Sequence, residues 1–273
     1  MTRVWTWTIV AFWAISMGLL FRDKVMPRML QVYYPTYAEG LHHLDEEESQ
    51  MGIFVQLPDR ELRVGTSRRS VSPWQATRPE DTAFSITDET TLDGSALRLP
   101  LGEFMMRTTI LLDTRFRVKS YDVIITTVAG NCTVSGVMRS ETELEVLVTM
   151  FEGPSDRRTL KFDSSTALAS GLSPLQPPAQ LRIGREWTVN RIDPLSLLTE
   201  QTVSTKPVIA RVERMEQIKC LGETWNTYVV SLRGERYEAL AWIDETGRIL
   251  QEKVPGGLGP LIMRREPVPG HAK

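Results

Sequence analysis

Between Phe104 and Met150 the sequence repeats one pattern: a short run with every second residue apolar, a turn, then another such run. In Phe104–Asp113, the residues Met106, Thr108, Ile110 and Leu112 share one face. Arg115 to Tyr121 alternates again, Tyr121 to Val128 follows, and Asn131–Met138 and Glu141–Met150 add two more. A period of two gathers side chains on one face only if the backbone is extended. The gaps are too short for crossover helices, so the pattern predicts an antiparallel meander rather than β-α-β units.

The same reading extends both ways. Gly52–Leu57 and Glu61–Gly65 flank Pro58-Asp59 as a hairpin, Ser70–Asp81 is a polar loop with Pro73 and Pro79, and Thr82–Leu92 is a strand. Gly171–Gln180 is a proline-rich break that either divides two halves of one sheet or separates two subdomains. Strands resume at Glu186–Val189, Thr205–Arg214, Gln217–Cys220 and Trp225–Leu232. Tyr237–Ile243 and Arg248–Val254 form a hairpin around Asp244-Glu245-Thr246-Gly247. Asp193 and Pro194 open a short helix through Leu198. A strand, an acidic turn and a second strand lead to Gly-Leu-x-Pro-Leu twice, from Phe162-Asp163-Ser164 to 171–175 and from Ile243-Asp244-Glu245 to 257–261, which fits a repeated unit and chance equally well.

Val4 to Phe21 is different: 18 residues with no charge and no proline. As a helix they extend about 27 Å, close to the roughly 30 Å hydrocarbon core of a bilayer. Trp5 and Trp7 lie at one end, and Arg22 and Lys24 close the other. No small-residue cleavage site follows, so the run is expected to be a retained anchor rather than a removed signal. Arg22, Lys24 and Arg28 outnumber Arg3 and the terminal amine, which by the positive-inside rule keeps the large domain cytoplasmic. Long domains are exported regardless of flanking charge, and the expectation adopted is an extracytoplasmic domain on a single-pass anchor.

A formal net charge of -2 over 273 residues provides no field for a polyanion, so nucleic acid is not an expected partner. The paired arginines Arg68-Arg69, Arg157-Arg158 and Arg264-Arg265 read as strand ends and turns. The two cysteines, Cys132 and Cys220, are too few for a cysteine-only zinc site; they are either a disulfide or two small buried hydrophobes.

Trp242 to Leu250 followed by Pro255-Gly256-Gly257-Leu258, together with Leu181-Arg182-Ile183-Gly184-Arg185-Glu186-Trp187, resembles segments of membrane-anchored bacterial envelope proteins. Those proteins are built on a curved antiparallel sheet similar to the lipoprotein localisation factor fold. The resemblance covers about the last half of the chain and implies a fold more than an activity.

Chemistry is sparse. His42, His43 and His271 stand beside no structured nucleophile. Adjacent His42 and His43 diverge by about 100° on a helix and converge poorly on a metal. Pro255-Gly256-Gly257-Leu258-Gly259-Pro260 lacks the Lys-Ser/Thr of a phosphate loop. Among the carboxylates, a pair such as Asp193 and Asp244 is the kind a glycoside hydrolase needs, though nothing singles it out. No catalytic, cofactor-binding or metal-binding residue is assigned, and no cofactor is expected.

The sequence thus predicts a mainly β chain: an anchor at 1–24, a connector at 25–50, a curved antiparallel sheet domain with few short helices at 51–266, and a tail at 267–273. The expected role is a non-enzymatic binding or scaffolding module of the cell envelope, held to the membrane by Val4 to Phe21. Its ligand would be a lipid, a lipidated partner or a membrane protein. The alternative is a carboxylate-dependent hydrolase acting on cell-surface glycans.

Overall fold

The computed structural model describes residues 48–74, 83–95, 102–114, 116–151, 153–162, 166–168, 181–192, 197–198, 206–234, 237–256 and 259–268. The expected anchor Val4 to Phe21, most of the connector, His42, His43, His271, Asp193 and the break at 171–180 lie outside these residues. Among the described residues no helix is long and apolar enough to cross a membrane.

Fifteen strands form one sheet: β1 (Glu48–Gln56), β2 (Glu61–Trp74), β3 (Ala83–Asp93), β4 (Glu103–Leu112), β5 (Val118–Thr127), β6 (Gly130–Ser140), β7 (Glu143–Met150), β8 (Asp156–Lys161), β9 (Thr166–Leu168), β10 (Glu186–Ile192), β11 (Lys206–Cys220), β12 (Glu223–Gly234), β13 (Tyr237–Ile243), β14 (Ile249–Val254) and β15 (Leu261–Glu266). Consecutive strands pair antiparallel from β1 to β8 and from β10 to β15, and β15 returns to pair antiparallel with β1. The short β9 lies parallel to β10. Helix is confined, among the described residues, to the turn at Leu197 and Leu198.

The two ends of the sheet are β8 and β9, neighbours in sequence. Laid flat, 15 strands at about 4.8 Å each would separate their outer edges by roughly 67 Å. The residues between Lys161 and Thr166 reach at most about 18 Å. The sheet therefore curls until its edges approach, yet no backbone ladder joins them among the described residues. The fold is barrel-like and unclosed.

The curl turns one face inward, where the alternating residues make two clusters. One gathers Ile86, Met106, Ile110, Leu112, Tyr121, Val123, Val134, Leu144 and Val146 with Leu160, Phe162, Leu168, Ile192 and Leu197. The other gathers Ile53, Val55 and Val64 with Val212, Val230, Leu232, Ile243 and Met263. Burying each such side chain contributes about 1.5–3 kcal/mol, which is what the period of two secures. Outside, arginine–carboxylate pairs link strands: Arg63–Glu266 at 2.7 Å, Arg68–Glu48 at 2.7 Å and Arg139–Glu145 at 2.9 Å.

Several boundaries differ from the sequence reading. β1 begins at Glu48, inside the expected connector, because Glu48 and Ser49 extend the ladder to Ser70 and Arg69. β2 runs on through the expected polar loop to Trp74. The two strands expected across Arg115–Val128 are one, β5. Phe116 takes φ 58 inside a turn where Asp113 and Arg117 exchange hydrogen bonds, and alternation cannot signal a reversal of that kind. Thr205–Arg214 and Gln217–Cys220 are one strand, β11, with a register shift between Val212 and Arg214. The sequence reading contained no counterpart of β15, and it placed β8 and β9 only as the two strands, without bounds, on either side of the acidic turn Phe162-Asp163-Ser164.

Candidate functional site

Asp244, the described half of the proposed carboxylate pair, is the organiser of its own turn. It is 3% exposed. Its Oδ1 accepts from the backbone N–H groups of Thr246 and Arg248, both at 2.9 Å, and from the Thr246 hydroxyl at 2.7 Å. Its Oδ2 accepts from Arg248 Nε at 2.7 Å. The Arg248 guanidinium in turn lies 5.1 Å from the ring centroid of Trp225. A carboxylate with four such donors holds a hairpin; it is not available to a substrate.

A second polar group lies on the inner face, where β2, β3 and β4 meet. Asp88, Thr90 and Thr108 are 2%, 0% and 0% exposed. Asp88 Oδ1 accepts from Ser67 at 3.1 Å and from Thr90 at 3.2 Å, and its Oδ2 accepts from Arg69 Nε at 3.3 Å. Thr108 stands directly across from Asp88 in the ladder, with its hydroxyl buried and unbonded. Glu252 and Arg265 also occupy inner-face positions. Burial pushes the Arg265 guanidinium below the ordinary arginine value. These charged groups sit within an otherwise apolar interior.

The carboxylates that face open space are elsewhere. A shallow outer groove of about 500 Å³ is lined by Arg63, Thr66, Thr91, Asp93 and Glu103. Asp93 and Glu103 are cross-strand partners, and both are exposed. Asp93 Oδ1 accepts from the Ser95 backbone N–H at 2.9 Å, an Asx turn ending β3. A general acid is kept protonated by burial, which this open groove does not supply.

Cys132 and Cys220 are both buried and free, so the second of the two sequence readings describes them. Cys132 packs in the first apolar cluster, and Cys220 Sγ lies 3.8 Å from the Leu250 carbonyl oxygen. Among the described residues no group of three metal-ligating side chains converges.

The outer face of β4–β7 carries large apolar side chains beside the ion pairs Arg107–Glu89 and Arg139–Glu145. Met105, Ile124, Val137 and Leu147 are 45%, 44%, 50% and 39% exposed. Met105 is diagonal to Ile124 across β4 and β5, and Val137 is diagonal to Leu147 across β6 and β7. Thr133, Ser135 and Thr149 lie between and beside them. β11–β13 likewise exposes Ile209 and Met215, beside Arg211, Arg214 and Arg233 around Glu213 and Glu216. The Ser231 hydroxyl, first, and then these arginines hold the Glu213 carboxyl below the usual carboxylate range.

No protein-family model and no curated protein matches the chain. Solved structures do. A β-barrel-like protein of domain of unknown function DUF1849 from Brucella abortus is 8% identical, with 80% of this chain covering 94% of that one and a TM-score of 0.46. A DUF1089 family protein from Pseudomonas aeruginosa is 9% identical, over 69% of this chain and 89% of that one, with a TM-score of 0.35. Neither is described as having the lipoprotein localisation factor fold, to which the envelope proteins resembled by Trp242–Leu258 and Leu181–Trp187 are similar.

Proposed function

We propose that the chain is a membrane-anchored, non-enzymatic scaffolding module of the cell envelope, and that the outer face of β4–β7 is its contact surface for a membrane protein or lipidated partner. The observation that carries this reading is a contrast. The inner face is packed against itself, with Ile110, Leu112, Tyr121, Leu144 and Val146 at 0% exposure, while Met105, Ile124, Val137 and Leu147 stand in solvent on the outside. Half-exposed apolar side chains gathered on one face of a sheet, among threonines and ion pairs, suit association with a partner that covers them. The hydrolase alternative has less support, because Asp244 is held by its turn and Asp93 and Glu103 are solvated.

The test is photo-crosslinking in intact cells. A photoreactive residue at Ile124 or Leu147 is expected to give one discrete adduct in the membrane fraction, and the same residue at Arg233 none. Equal labelling from all three positions would end the reading. The anchor is tested separately. The full chain is expected to stay with membranes through carbonate extraction, and a phosphatase fused after Lys273 is expected to be active. An inactive phosphatase beside a fluorescent fusion that glows would place the domain in the cytoplasm.

A further inference from the structure

The ladder register fixes which side chains stand side by side on the outer face of β4–β7. Thr109, Asp122, Ser135 and Leu147 form one row across the four strands. In the row on one side of it Ile124 stands beside Thr133, and in the row on the other side Ser120 stands beside Val137. Taken about the line between β5 and β6, each exposed apolar side chain has a small hydroxyl residue at its mirror position. Ile124 has Thr133, Val137 has Ser120 and Leu147 has Thr109. The carboxylate of Asp122 has Ser135. Charges at the margins are neutralised within the chain, Arg107 by Glu89 at 3.1 Å and Glu145 by Arg139 at 2.9 Å.

We propose that the partner of this face is a second copy of the chain, packed face to face about a two-fold axis that runs along the strands between β5 and β6. The inference rests on the scaffold reading and names its partner, since a second copy carries the same Val4 to Phe21 segment. Identical surfaces meet about a two-fold axis, so each position meets its mirror position on the other copy. Ile124 then seats on Thr133, Leu147 on Thr109 and Val137 on Ser120, large against small, and Asp122 meets the Ser135 hydroxyl. An axis across the strands through the middle row would set Asp122 against Asp122, and like charges oppose association. The axis along the strands also keeps Glu48, the first residue of β1, at the same end in both copies, so the chain preceding it leads toward one bilayer. Stacked sheets lie about 10 Å apart with strands within about 30° of each other, which permits this seating at the centre of the face. Four strands about 4.8 Å apart and about 27 Å long offer at most roughly 500 Å². A stable complex typically buries about 800 Å² a side, so the face alone makes a weak contact. Sharing one bilayer offsets this by raising the effective concentration of one copy for the other.

Site-specific crosslinking of the full chain in membranes tests it, with two differently tagged copies and a short bismaleimide. Leu147→Cys in one copy and Thr109→Cys in the other are expected to give a two-chain species carrying both tags. Two Thr109→Cys copies are expected to give none, because the axis holds those positions three strand spacings apart, about 14 Å along the sheet. Cys132 and Cys220 are buried and contribute little background. Ser135→Asp sets a second carboxylate against Asp122 of the other copy and is expected to abolish the two-tag species. The uncharged Ser135→Asn is expected to keep it. Absence of the Leu147–Thr109 product, or equal yield from the two Thr109→Cys copies, would overturn the proposal. Photo-crosslinking from Ile124 separates this inference from the reading it rests on. An adduct of two copies supports both. An adduct with a different protein or with lipid leaves the contact surface standing and overturns the second copy, and equal labelling from Ile124 and Arg233 ends both.

Discussion

Three single residues show what burial does to a polar or titratable side chain. Asp244 satisfies two backbone donors, one hydroxyl and one guanidinium from inside the protein. Asp244→Ala orphans all of them and is expected to cost about 2–4 kcal/mol, read as a lower urea midpoint. Thr108 is the opposite case. Its buried hydroxyl is unbonded, so the near-isosteric Thr108→Val is expected to be neutral or to stabilise by up to about 1 kcal/mol in the same measurement. Cys220 carries a pH signature. Desolvation by burial pushes its thiol up, outweighing the opposing pull of Arg264. The folded protein therefore holds the proton to higher pH than the unfolded chain. This contribution to stability is present below the ordinary thiol pKa and is lost as pH rises through the folded one. Iodoacetamide is expected to label Cys220 slowly in the folded protein at pH 8.5 and rapidly in urea, checked by peptide mass mapping.

At the scale of elements, one turn and two close approaches decide how strands meet. Leu221 and Gly222 join β11 to β12 with φ 54 and φ 81, the pair of positive values that a two-residue type I′ turn demands. Leucine is strained there and 41% exposed. Leu221→Asn is expected to raise the melting temperature, by about 1 kcal/mol of relieved strain. Gly65 sits where β2 passes β3. A Cβ there would lie 2.1 Å from the Thr91 carbonyl oxygen, which is backbone and cannot move aside. Gly52 meets instead the flexible end of Glu266, at 2.3 Å. Gly65→Ala is thus expected to cost about 2–3 kcal/mol and Gly52→Ala clearly less, compared by chemical denaturation.

For the molecule as a whole, the decisive pairing is the most distant one. β15 fills the place between β1 and β14, with Ile53 opposite Met263 and Val254 opposite Leu261. A chain ending at Val254 keeps most of the alternating segments yet leaves two long open edges, and it is expected to lose cooperative unfolding and to aggregate. A chain starting at Glu48 keeps every described strand. It is expected to stay soluble with a strand-type circular dichroism spectrum once Val4 to Phe21 is removed. Insolubility of that piece would show that further apolar surface depends on the removed segment.

The local facts were legible in the sequence. Alternation along Phe104–Leu112 and Glu143–Met150 marked the strands and which of their faces is buried, because a period of two depends only on the chain's own geometry. Asp244-Glu245-Thr246-Gly247 marked its turn for the same reason. Glycine-free reversals such as the one at Phe116 carried no such mark. Tertiary structure alone decided the rest. That Leu261–Glu266 returns to Glu48–Gln56, that no ladder joins β8 to β9 among the described residues, and that Arg158 reaches the Leu197 carbonyl depend on how the whole sheet curls. The choice between Asp244 as a catalyst and Asp244 as a turn residue was of the same kind. Its chemistry is set by which donors the fold brings to its two oxygens, and composition is blind to that.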